Sequence, residues 1–217
     1  MHEQLNAGSD ALDDDLQTDE TDLPSAQDVV DFWFGLPGSP EWLQKRPEWF
    51  RKDSAFDALI EARFGGLLDR ALHGRLEDDP EEQVLPLNRL ARIIVCDQFP
   101  RNAWRDRPKA FALDPIALAT SRTLIGTPQE RAMPAVQRVF VYMPLMHSER
   151  LEDQEQCVAL FEALAEESSV ASESLDYARR HLDVIQRFGR FPHRNETLGR
   201  RSTEEELAFL KQPGSSF

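Results

Sequence analysis

From Ser25 onward the apolar residues recur three and four positions apart, and no stretch alternates with the period of two that a half-buried strand would show. The pattern predicts an all-α fold. Ser25, followed three residues later by Asp28, opens a first helix in the manner of a capping box, and Gly35 closes it after Phe32, Trp33 and Phe34. Asp53 caps a second helix, in which Phe56, Ile60, Phe64, Leu67 and Ala71 form one apolar stripe before Gly74. A helix apolar on most sides is expected over residues 85–99, led in by Glu81 and Glu82 and halted at Pro100. Asp114 as N-cap, with Pro115 at the first helical position, starts a helix over residues 114–125 that Gly126 ends. Further helices are expected at about residues 134–146, 149–166, 173–188 and 203–211. Short connections between some eight helices imply an array of antiparallel helical hairpins.

The informative positions are polar residues on faces that a helix must bury, because an unpaired buried polar group costs about 1–3 kcal/mol. Asp97 and Gln98 follow Ile93, Ile94, Leu90 and Ala91 at helical spacing and are expected to point inward. The stripe Val136, Phe140, Met143 reaches His147 next, although Pro144 removes a bond to the Phe140 carbonyl and invites a kink. The stripe through Cys157, Phe161 and Leu164, extended backward, meets Gln154, Asp153 and Glu149. His181 lies among Ala178, Ile185 and Phe188. Two short segments repeat a theme: Phe99-Pro100-Arg101-Asn102 and Phe191-Pro192-His193-Arg194-Asn195 are both expected as loops that fix the chain with proline and then present Arg and Asn. The simplest geometry gathers the inward acids, the two histidines and these arginines in one polar cavity. Each residue also has a structural reading: Glu149 and Glu152 as first-turn acids, Asp97 with Arg101 as a buried ion pair, His181 as a core histidine, Cys157 as an inert buried thiol.

Composition changes this picture in two places. The chain of 217 residues carries a net charge of −14, which argues against nucleic-acid and anionic-membrane partners. Eight of its acids fall in residues 1–24 with no Lys, Arg or aromatic, so this segment is read as an acidic disordered tail and residues 25–217 as a single domain. Against that background, residues 179–201 hold seven arginines and two histidines facing only Asp183 and Glu196. Two cysteines, Cys96 and Cys157, form no framework for disulfides or zinc, and the N-terminus does not read as a signal peptide. A cytoplasmic location is therefore expected. No apolar run approaches the roughly 20 residues of a membrane span.

Three strings resemble one family closely: Asp97-Gln98-Phe99-Pro100-Arg101-Asn102, Tyr142-Met143-Pro144-Leu145-Met146-His147-Ser148-Glu149, and Phe188-Gly189-Arg190-Phe191-Pro192-His193-Arg194-Asn195. The likeness extends to Phe32-Trp33-Phe34-Gly35, to Trp49-Phe50 and to the helix begun by Thr203, and so covers residues 25–217. The family is the bacterial domain-of-unknown-function family 924. The resemblance implies a tetratricopeptide-like helical superhelix, and its motif positions include Arg190 and His193 beside the inward residues above. It implies no reaction and no cofactor, and the chain lacks the 34-residue repeat of a true tetratricopeptide array.

Two functions are compatible with these residues. A binding module would hold an acidic peptide or a small anion through Asp97, Gln98, Arg101, Asn102, Arg190, His193 and Arg194. An enzyme, as a hydrolase or lyase on a phosphate- or carboxylate-bearing substrate, would use His147 or His181 as general base, Glu149 or Asp153 as its orienter, and Arg101, Arg190 and Arg194 as an anion clamp. Metal chelation by His147, Glu149 and Asp153 is disfavoured by the two-residue step between the first pair. Phosphate-loop, dinucleotide, zinc-protease and serine-hydrolase signatures are absent.

Overall fold

The structure, a computed structural model, describes residues 23–76 and 86–215. Nearly all of the acidic segment, the lead-in at Glu81 and Glu82, and the expected start of the third helix at Leu85 lie outside these residues. Every regular element among the described residues is helical: α1 Ala26–Phe34, α2 Ser54–Leu72, α3 Pro86–Ile93, α4 Phe99–Ala103, α5 Asp114–Leu124, α6 Pro128–Ala132, α7 Ala135–Met146, α8 Leu151–Glu167, α9 Ser172–Phe188 and α10 Glu204–Leu210, with short 3₁₀ turns between some of them. No described helix is long and apolar enough to cross a membrane.

Local chemistry explains most boundaries. Ser25 and Asp28 form the reciprocal capping box that starts α1, and Thr203 and Glu206 repeat it for α10. Asp53 accepts from the backbone N–H groups of Ala55 and Phe56 to start α2. Gly35 ends α1 with φ +83°, and a Cβ there would lie 2.8 Å from the backbone of Glu41 and Trp42. Glycine is needed both for the left-handed backbone and for the close approach. It lets the chain turn back so that Leu43 N–H donates to the Phe34 carbonyl.

The core is built on the buried face of α1, where Val29, Val30, Trp33 and Phe34 meet α2 through Phe56, Ile60 and Phe64, and α7 through Phe140. Trp33 stacks on Trp49 at 5.8 Å and meets Phe99 and Phe140 edge-on, the offsets that ring quadrupoles favour. On the other flank, α7, α8 and α9 follow one another through short connections and pack in sequence, the arrangement of consecutive helical hairpins.

The stretch after α3 departs from expectation. Residues Ile94–Gln98 form a π-helical turn, in which the Phe99 N–H donates to the Ile94 carbonyl five residues back. The helix does not halt at Pro100. The wider turn resets the register, so Pro100 falls in the first turn of α4, where a missing N–H is tolerated. Phe99-Pro100-Arg101-Asn102 is therefore helix, not the loop expected from its proline. Only the second Phe-Pro string is irregular, forming a 3₁₀ turn at Pro192–Arg194. Asp114 is likewise not an N-cap: it is the first residue of α5, Leu113 precedes it without a side-chain cap, and its carboxylate is engaged elsewhere.

Candidate functional site

A cavity of about 500 Å³ lies where α4, the C-terminal end of α7, α9 and the Pro192–Arg194 turn face one another. Its wall includes Gln98, Arg101, Asn102, His147, His181, His193 and Arg194 of the residues singled out from sequence. The helical stripe that ran from Val136 to Met143 does carry His147 inward: α7 continues through Pro144, and His147 is its C-cap. Its Nδ1 donates to Asp97 Oδ1 at 2.7 Å. Asp97 is fully buried immediately behind it, accepts at Oδ2 from Gln98 Nε2 at 2.5 Å, and lies 3.4 Å from Arg101 Nη1.

Arg101 is mainly committed to Asp114, which it holds through two parallel bonds of 2.8 and 3.0 Å. Arg194 Nη1 lies 3.6 Å from Oδ2 of the same carboxylate and donates to the His147 carbonyl at 3.0 Å. The two Phe-Pro strings thus meet on Asp114 and on the ring of Phe111, which lies 5.7 Å from the Arg101 guanidinium and 4.8 Å from that of Arg194. The ring of Phe191 also lies against the Arg194 guanidinium, at 4.4 Å. The Arg194 Nε is buried without a hydrogen-bond partner.

Burial sets the electrostatics. His147, His181 and His193 all have depressed basicity, first because a charged imidazole is poorly solvated there, and then because Arg101, His147 and Arg194 respectively lie near. The values fall to about 3 for His181 and about 4 for His193. Desolvation and the neighbouring Arg101 lower Arg194 to about 10. For Asp97 burial works the other way, but His147, Arg101 and Gln98 outweigh it and hold the carboxylate below its ordinary range. At neutral pH the cavity therefore presents neutral imidazoles and a buried guanidinium.

Three of the residues read from sequence lie elsewhere. Glu149 precedes α8 and is turned away: it accepts from Arg200 at 2.7 and 2.9 Å and from the Phe191 N–H at 2.8 Å, fixing the Phe-Pro turn from behind. Asp153 accepts from Ser148 Oγ and pairs with Arg122, bracing α8 against α5. Arg190 forks onto Glu206 at 2.6 and 2.8 Å and ties α9 to α10. Asn102, although on the wall, donates to Asp57, which Arg105 also grips. Neither Glu149 nor Asp153 orients a histidine; that position is taken by Asp97. Nor do these two acids converge with His147, and among the described residues no group of three His, Cys, Asp or Glu is arranged to hold a metal ion.

Several wall residues carry no signal of their own in the sequence. Lys45, Phe111 and Tyr177 come from loops or short turns and from an α9 face that reads as solvent-exposed, and Phe50 entered only through the family likeness. Asp114 was legible only as a helix start, because nothing local indicates that two arginines would converge on it.

Residues 29–214 match the family described as a bacterial protein of unknown function (DUF924). The chain belongs to this family. It is also similar to a solved structure, that of a protein of unknown function from Agrobacterium tumefaciens. The two share 33% identity with a TM-score of 0.71, over 86% of this chain and 96% of the other. No curated protein matches. The matched span of the DUF924 family takes in all three motif strings, so the cavity wall and the Glu149 and Arg190 ties behind it lie inside the family region.

Proposed function

We propose that the cavity binds a small carboxylate-bearing molecule, with Arg194 receiving the carboxylate. The observation that carries this reading is Arg194, a guanidinium on the cavity wall whose one direct hydrogen bond among the described residues runs to the His147 carbonyl and whose nearest acid, Asp114 at 3.6 Å, is already forked by Arg101. Buried donors without partners are uncommon in folded proteins, and a bound acceptor is one reason for their persistence. The other cations around the cavity each have an acid of their own, Arg101 with Asp114, Arg105 with Asp57, Lys45 with Glu173 and Lys52 3.9 Å from Asp106, whereas Arg194 reaches only the carboxylate that Arg101 already holds. One under-satisfied cation suits a monoanion better than a phosphate dianion. The volume suits a small molecule rather than the acidic peptide also considered, and Trp49, Phe50, Met143 and Tyr177 offer it an apolar body contact.

The hairpin packing supports reading the helices as a tetratricopeptide-like array, and two free, buried cysteines support a cytoplasmic setting. The test is thermal melting in the presence of benzoate, malonate, inorganic phosphate and phenyl phosphate. The expected result is a saturable rise in Tm with a carboxylate, because a ligand that binds only the native state stabilises it. Arg194→Lys keeps the charge but loses the planar fork, so it is expected to melt near the wild type without ligand and to lose the shift. An equal shift in wild type and variant, or a response to phosphates alone, overturns the reading.

A further inference from the structure

The cavity wall holds a carboxylate–imidazole pair that anion binding does not use. We infer that the cavity is catalytic, with His147 Nε2 as a general base that removes a proton from a carboxylate-bearing substrate and Asp97 as the residue that positions it. For the substrate class this rests on the reading of Arg194 above; for the base it rests on different atoms.

The geometry is specific. An ionised carboxylate only accepts, so the 2.7 Å contact places the proton of a neutral His147 on Nδ1 and leaves the Nε2 lone pair for the cavity that the ring lines. Asp97 is itself held from two further sides, at Oδ2 by Gln98 and at its backbone carbonyl by Arg101 Nη1 at 2.6 Å. A purely structural role for Asp97 would make Arg101 its main partner, yet Arg101 spends its fork on Asp114 and lies farther from the Asp97 carboxylate than His147 does. Among the described residues no hydroxyl or thiol contacts the His147 ring, so His147 is not set up to activate a side-chain nucleophile. The Nε2 lone pair is then left to a proton of the bound molecule or of a water beside it, and direct removal from the bound molecule is the step we assign. His181, with its Nδ1 on the Tyr177 carbonyl, stands 6.4 Å away ring to ring and adds a second neutral imidazole to the same wall.

The proton goes to Nε2, and the electron pair it leaves stays on the substrate, either expelling a leaving group or shifting a double bond. Atoms and charge balance without oxidant or metal. An elimination of this kind can be read with a neutral probe that needs only a base, 5-nitrobenzisoxazole. Its ring carbon gives a proton to the base, the C–H pair forms the nitrile, the N–O bond breaks with its electrons on oxygen, and the ring opens to a single coloured cyanophenolate.

The wild-type protein is expected to open this probe about 100-fold faster than His147→Gln, the size of a positioned general base. Asp97→Asn is expected to lower kcat while leaving KM unchanged, because an amide turned to donate favours the other imidazole tautomer. A structural role alone would not split the two constants. Nitrogen–proton correlation spectra of the wild-type side chains give a readout independent of any variant: His147 should carry its proton on Nδ1 with Nε2 bare. A wild-type rate no greater than that of His147→Gln, unchanged kcat in Asp97→Asn, or the opposite tautomer overturns the inference. Because the probe is neutral, the two readings fail separately in the wild-type protein: turnover without any carboxylate shift in Tm would sink the anion site and leave the base standing, and a shift without turnover would sink the base alone.

Discussion

At the scale of single residues, polarity on a buried face marked the right positions without telling which of them share a space. Spacing placed Asp97, His147 and His181 inward and the Phe-Pro string offered Arg194; His147, His181 and Arg194 line one cavity, with Asp97 buried behind His147. Glu149 obeys the same spacing, yet it is only partly buried and sits behind the Phe-Pro turn with Arg200. The difference is rotation about one non-helical residue before α8, and no helical period encodes that. The two roles are separable by experiment. Glu149→Gln removes the charge from two bonds to Arg200 and is expected to lower stability by about 1–3 kcal/mol. The Tm shift given by a carboxylate should survive in the same variant, measured by paired melts with and without ligand. Loss of the shift at unchanged stability would move Glu149 into the site.

At the scale of elements, the longer helices were legible because each carries an apolar stripe or a chemical start or stop, whereas the five-residue α4 and α6 were not read as helices. The π-helical turn at Ile94–Gln98 was not, since its residues fit an α pattern equally well and its fifth-residue bond depends on how α1, α5 and α7 pack around it. That turn brings Asp97 and Gln98 side by side into the interior while the chain continues into α4. Gln154 shows the converse, a polar residue on an apolar stripe that proves to be part of the scaffold. Its Nε2 donates toward the carbonyls of Leu145, Met146 and Ser148, and so closes the C-terminal end of α7, just where His147 sits. Helix ends leave such carbonyls without partners. Gln154→Leu fills the same volume but leaves these acceptors buried and bare, at an expected cost of about 2–3 kcal/mol in urea unfolding. Because the change loosens the end of α7, the His147–Asp97 contact should weaken as well, visible as a broadened His147 side-chain resonance. A variant as stable as the wild type would show that these carbonyls are satisfied some other way.

At the scale of the whole molecule, the cavity couples the fold to pH. The three histidines come from the end of α7, the middle of α9 and the turn before α10, so charging them acts on the junction of separate parts of the chain. Each imidazole protonates less readily in the folded state than its ordinary value of 6.5, with His193 lowered to about 4 and His181 to about 3. The unfolded chain therefore binds the extra protons first. Stability is fully present above about pH 6.5 and is lost as the pH falls from there toward the folded-state values, by up to about 1.4 kcal/mol per unit and per group. Carboxylates held low, such as Glu206 at about 2, add their own loss only below the usual carboxylate range, so the window from pH 6.5 to 5 belongs to the histidines. Urea midpoints measured across that window should fall steeply. His181→Phe keeps the packing against Phe191 and removes one titrating group, so its curve should be shallower by close to one proton. A parallel curve for wild type and His181→Phe would mean that His181 is as easily charged in the folded protein as in the unfolded chain, and that the interior of the cavity is wetter than its burial implies.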